Sequence, residues 1–151
     1  MSDEPALLDT NVLVYALFIE SPHHATSRAL ITRAGKGDAN LAIAAQALAE
    51  FYSIVTNSKR VTAPRKSEEA ILAIEAYLAL PGLRLLPQPS DLVTRWCELV
   101  RQHPVTGADV FDVPLIATML GSGIRRICTF NSTPPTSAHL LKSKCSPHNS
   151  T

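Results

Sequence analysis

The feature that most constrains this chain is a short apolar run ending in an acid, Ala6-Leu7-Leu8-Asp9, with a second apolar stretch, Val12 to Leu17, starting almost at once. A run this short, closed by a charge, predicts a buried strand and then the start of a helix. The arrangement recurs along the chain. Leu41-Ala42-Ile43-Ala44, Leu83-Arg84-Leu85-Leu86 and Ile124 to Thr129 are further strand candidates. Helical stretches lie between them. One enters at Ser21-Pro22, with Ser21 as cap and Pro22 in the first turn, and runs to Ala34. The next places Leu48, Phe51, Tyr52 and Val55 at i, i+3, i+4 and i+7. Ser67, as a capping hydroxyl before Glu68-Glu69, opens a third, and Ser90-Asp91 a fourth that carries Leu92, Val93, Trp96, Leu99 and Val100 on one side. A last helix ends at Gly121-Ser122-Gly123. Strands alternating with helices over short connections predict an α/β domain in three layers: a central, mostly parallel sheet of four to five strands, with helices on both faces.

Composition agrees with one packed domain. Of 151 residues, 46% are apolar and 18% charged, which supports a core and excludes global disorder. Lys and Arg exceed Asp and Glu by one, so bulk positive charge cannot hold nucleic acid. A phosphate-bearing substrate then needs a local basic patch or metal ions. No apolar run approaches the roughly 18 residues of a membrane span, and Met1 to Pro5 lacks the basic and apolar regions of a signal peptide. With three scattered cysteines (Cys97, Cys128 and Cys145) and no CxxC pair, the expectation is buried or incidental thiols in a reducing cytoplasm. Residues 1–131 read as a single domain. Residues 132–151 are rich in Ser, Thr and Pro and contain no Asp or Glu, and are expected to be loop or disordered. So sharp a change in composition suggests a shifted reading frame over that tail.

Ligands of a doubly wound sheet gather outside the carboxyl ends of its strands. Asp9 is expected there, although a helix cap would explain it equally well. Glu50 lies about 160° around its helix from Leu48 and could simply be solvated, or could reach inward over the sheet edge. Asp112 precedes Pro114, which is tolerated only in a helix's first turn. A helix starting near Val113 with Asp112 as its cap accounts for that acid structurally, while Asp109, one turn upstream, reads as solvated, a cap or an outer acid. Three acids converging in one cleft repel one another unless cations lie between them. Hard oxygen ligands select Mg²⁺ or Mn²⁺, and the chemistry suggested is phosphodiester hydrolysis.

At this point the residues match a known pattern. Leu7 to Ala16, with Asp9-Thr10-Asn11 at its centre, resembles the first motif of PIN-domain ribonucleases, most closely the VapC-type toxins of bacterial toxin–antitoxin pairs. Gln46-Ala47-Leu48-Ala49-Glu50-Phe51 resembles the second motif, Asp112 with Leu115 to Leu120 the third, and Gly123 to Asn131 the final strand motif. The resemblance implies a Mg²⁺- or Mn²⁺-dependent endoribonuclease of PIN-like fold over residues 1–131, with Asp9, Glu50 and Asp112 as metal-binding, catalytic acids. Thr10 and Asn11 carry over as supports, with Asp109 and Asn131 beside them. It also implies a cytoplasmic homodimer that acts on RNA and is silenced by a cognate antitoxin. After Asn131, where other members place a fourth acid, this chain runs Ser132-Thr133-Pro134, with Pro134 about where a further Asp is usual.

Two rivals remain open. A haloacid-dehalogenase-type phosphatase also ends its first strand in Asp, but needs a second Asp where this chain has Asn11. A PIN-like domain that has lost its fourth acid would serve only to bind an antitoxin or RNA.

Overall fold

The computed structural model describes residues 4–130 and the backbone of a strand at 143–145. The strands are β1 (Ala6–Leu8), β2 (Leu41–Ile43), β3 (Leu83–Leu85), β4 (Arg126–Cys128) and β5 (Ser143–Cys145). The helices are α1 (Thr10–Leu17), α2 (His24–Gly35), α3 (Ala45–Val55), α4 (Ser67–Leu78), α5 (Leu92–Gln102) and α6 (Asp112–Gly121). All pairings are parallel, in the order β3-β2-β1-β4-β5. The expected α/β domain is therefore observed, with every described strand pair parallel.

Alternation within the strands explains why both faces of the sheet are covered. Successive side chains of a strand point to opposite faces. Ala6, Leu8, Leu41, Ile43 and Cys128 join one apolar cluster with α1 to α4. Leu7, Ala42 and Ile127 join the other, with Met119 of α6 and Ile124. Short strands buried on both faces must be apolar throughout, and β1 is. Two further contacts fix the first layer. The Tyr77 hydroxyl of α4 donates to the Leu13 carbonyl at 2.9 Å, and burial pushes its pKa up to about 12. Gly82, before β3, passes so close to α2 that an added Cβ would stand 2.5 Å from the Ala39 oxygen and 2.8 Å from that of Ala34.

Several boundaries depart from expectation. Ser21 does not begin α2; its Oγ accepts the His23 N–H at 3.2 Å in a turn, and the helix starts at His24. Ser67 is the first helical residue of α4 rather than its cap. Its hydroxyl accepts from Tyr52 Oη at 2.9 Å, while Glu69 takes the Lys66 N–H at 3.1 Å. Both hydroxyls found a closer donor than the helix end offers. α5 has no fully buried residue: its apolar side is only half-buried and Val93 stands 63% exposed. In the tail, 143–145 pair with β4 although the composition reads as loop. The outer edge of β4 offers backbone partners whatever the side chains. The remainder of 132–151 lies outside the described residues, as does Asn131.

Candidate active site

The sheet order reverses at β1: β2 and β3 extend to one side, β4 and β5 to the other. Such a switch point leaves a crevice at the carboxyl ends of the two central strands. Asp9 leaves β1 there, its N–H donating to the Cys128 carbonyl at 3.0 Å. Its backbone occupies the cap position of α1, but its carboxylate makes no capping bond. Instead Oδ2 accepts the Thr129 hydroxyl, just beyond β4, at 2.6 Å. The Asn11 amide donates to Thr129 Oγ1 at 3.4 Å. Burial raises the Asp9 pKa above its ordinary 3.8; Thr129 and the Thr10 N–H lower it in part, and the Glu50 charge raises it further.

Glu50 arrives from the first turns of α3. Its side is exposed, yet both carboxylate oxygens are held. Oε2 accepts the hydroxyl of buried Thr10 at 3.1 Å, and Oε1 the Gln46 amide at 3.4 Å. Thr10 also donates to the Ala47 carbonyl at 3.3 Å. A residue that the helical wheel left free to be solvated is thus tied to the residue after Asp9.

Asp112 is not a cap. A 3₁₀ turn, Gly107–Phe111, runs directly into α6, so Asp112 already has helical backbone and Phe111 takes the cap position. Pro114 nevertheless stays within the first turn, as its missing N–H requires. The Asp112 pKa is raised, first by burial and then by the charges of Glu50, Asp9 and Asp109. Four acids from three parts of the chain therefore share one electrostatic neighbourhood. Gln46 links its parts, since its amide also donates to the Phe111 carbonyl at 3.2 Å.

Neighbouring carboxylates, with the Asp9 and Asp112 pKa values raised, fit a site for a hard divalent cation, which would relieve both desolvation and repulsion. Asn11 Oδ1 adds to that fit: it is buried without a hydrogen-bond partner, and buried carbonyl oxygens ordinarily have one. Among the described residues no three of His, Cys, Asp or Glu are drawn together tightly enough to form a ready metal cluster, so the acids are neighbours rather than a closed cage.

Other polar side chains fall elsewhere. His23 and His24 are half-buried: the His23 ring stacks on Phe130 at 4.4 Å between centroids, and His24 Nδ1 lies 2.9 Å from the Tyr15 carbonyl. Arg125 and Arg126 stand at the amino end of β4, opposite the site, where Arg126 donates to the Glu4 carbonyl at 3.3 Å. Thr129 and Gln46 are the site residues that sequence reasoning did not single out. The signal for Thr129 was a hydroxyl one residue beyond a strand, which becomes informative only once β4 is known to lie beside β1.

The PIN domain family model matches residues 6–134. The chain belongs to the PIN-domain family. Ribonuclease VapC43 of Mycobacterium tuberculosis is 33% identical over 114 residues, covering 75% of this chain and 77% of that protein. Among solved structures, M. tuberculosis VapC20, a toxin that cleaves the sarcin-ricin loop, superposes with a TM-score of 0.63 at 17% identity, over 89% of this chain and 94% of that one. VapBC2 of Rickettsia felis, bound to a promoter DNA fragment, gives 0.56 at 20% identity, covering 84% and 88%. These two structures share the PIN fold with this chain. No described helix is long and apolar enough to cross a membrane.

Proposed function

We propose that this PIN-domain protein is a VapC-type ribonuclease toxin that hydrolyses RNA phosphodiester bonds and is neutralised by a cognate antitoxin protein. The observation that carries the site assignment is the shared electrostatics of Asp112 with Glu50, Asp9 and Asp109, in a PIN domain whose curated relatives are VapC ribonucleases. Asp9, Glu50 and Asp112 would hold Mg²⁺ or Mn²⁺, with Asp109 beside them. Such an ion, when bound, supplies the Lewis acidity that phosphodiester hydrolysis needs.

The chain's own residues prepare that site. Thr129 and Asn11 orient the Asp9 carboxylate; Thr10 and Gln46 hold the two oxygens of Glu50. Fixing these oxygens in advance removes their ordering cost from the binding step. The same reading makes the chain a cytoplasmic homodimer, in keeping with the exposed apolar side chains Ile71, Leu72 and Leu78 on α4.

The test is cleavage of end-labelled RNA with Mg²⁺ or Mn²⁺, with chelator, and with the antitoxin added. Cleavage that requires metal and stops with antitoxin is expected. A folded protein that binds antitoxin yet cuts no RNA under any metal would instead be a binding module.

A further inference from the structure

A cavity of about 330 Å³ opens between α1, the end of α3 and the segment that follows α3. Asn11 forms part of its lining, and the amide of Asn11 is two hydrogen bonds from the Asp9 carboxylate by way of Thr129. The walls are Val14, Tyr15, Phe18 and Ile54, while Arg60 and Glu20 contribute to the lining. We propose that this cavity holds one nucleotide of the RNA, next to the phosphate that is cut. The proposal rests on the ribonuclease reading and names where the substrate is gripped.

Size and chemistry favour a nucleotide. The volume lies at the lower end of the roughly 300–1,000 Å³ of small-ligand sites, which suits one base and sugar. Apolar and aromatic walls with a few polar groups are what a base requires. Tyr15 is held by ring contacts, 5.1 Å from His23 and 5.6 Å from Phe130 between centroids, so little freedom is lost when a base packs on it. Arg60 is exposed and has no ion-pair partner among the described residues, leaving its guanidinium available to a phosphate. Arg65 adds a second cation 4.7 Å over the Phe18 ring. Glu20, also without an ion pair among the described residues, accepts hydrogen bonds only, from base N–H groups or a ribose hydroxyl. In a chain of near-neutral net charge, Arg60 in the lining and Arg65 against the Phe18 ring supply the local positive charge that phosphate binding demands.

Two measurements test this. Metal-free protein is titrated with AMP, GMP, CMP and UMP while NMR follows the Tyr15 ring and the Val61 and Ile54 methyls, which line the cavity. Shifts at these groups that vanish in Arg60→Ala, and at the Tyr15 ring and Ile54 methyls in the cavity-filling Val61→Trp, are expected. On a short RNA substrate, the same variants should raise KM by at least about fivefold and lower kcat by less, with unchanged melting temperature and with Arg101→Ala, on α5, as control. No nucleotide shifts at the cavity, or an unchanged KM, overturns the proposal. Weaker antitoxin binding with RNA KM unaltered also overturns it and makes the cavity a protein groove. If the protein cuts no RNA at all, the ribonuclease reading fails, and the nucleotide titration alone decides the cavity.

Discussion

Replacing Thr10 by Val removes the hydroxyl that holds Glu50 while keeping the shape of a side chain only 4% exposed. Two effects oppose each other. Val is more easily buried than Thr, but a hydrogen bond to a charged acceptor, 3.1 Å long here, contributes about 1.5–3 kcal/mol. Glu50 is exposed, so water competes for its oxygens and the lower end applies. A double-mutant cycle separates the two, because the burial gain is common to both backgrounds. In Glu50→Ala protein the Thr10 hydroxyl can turn wholly to the Ala47 carbonyl, so Thr10→Val still costs something there. The coupling energy with Glu50 should be about 1 kcal/mol by urea denaturation without metal. Cleavage by Thr10→Val should fall about tenfold, in line with other groups that orient a metal ligand, and Thr10→Ser should restore most of it. A coupling near zero together with wild-type cleavage would show that Thr10 does not position Glu50.

Asp9→Asn should raise the metal-free melting temperature at pH 7 by about 2–4 °C. Because the folded pKa of Asp9 is raised above 3.8, its stabilising protonated form is fully present below that value and is lost as pH rises through the folded pKa. The gain should therefore shrink toward pH 4; an equal gain at both pH values would contradict the buried-charge explanation. Gly82→Ala should lower the melting temperature by several degrees, about 1–3 kcal/mol of overpacking, since its Cβ would meet the backbone oxygens of Ala39 and Ala34; an unchanged melt would refute that close approach. Weak cleavage that rises with Mn²⁺ into the millimolar range is expected, and Asn131→Asp should increase it; activity indifferent to both would mean that an acid at 131 plays no part.

How much of this was legible in the sequence depended on distance along the chain. β1 and β2 were readable because strands buried on both faces must be apolar without a break, and Leu7-Leu8 and Leu41-Ala42-Ile43 are. The faces of α3 followed from Leu48, Phe51 and Val55, all buried as their spacing required. Helix starts were less legible, because a Ser can spend its hydroxyl on a turn, as Ser21 does, or on a neighbouring Tyr, as Ser67 does. The acids could be named and, through the family resemblance, grouped, but the hydrogen bonds that hold them could not be foreseen. That Thr10 reaches Glu50 across 40 positions and Thr129 reaches Asp9 across 120 is a consequence of strand order, which no local pattern contains. The packing of His23 was hidden for the same reason: its partner Phe130 comes from far along the chain.

The central claim is that Asp9, Glu50 and Asp112 act as one metal-dependent RNA-cleaving site. Initial rates of RNA cleavage in saturating Mn²⁺ for Asp9→Asn, Glu50→Gln and Asp112→Asn, each confirmed folded by circular dichroism, test it most directly. Each variant should lose at least about a hundredfold in rate. Near wild-type cleavage by any two of the three would contradict a shared site.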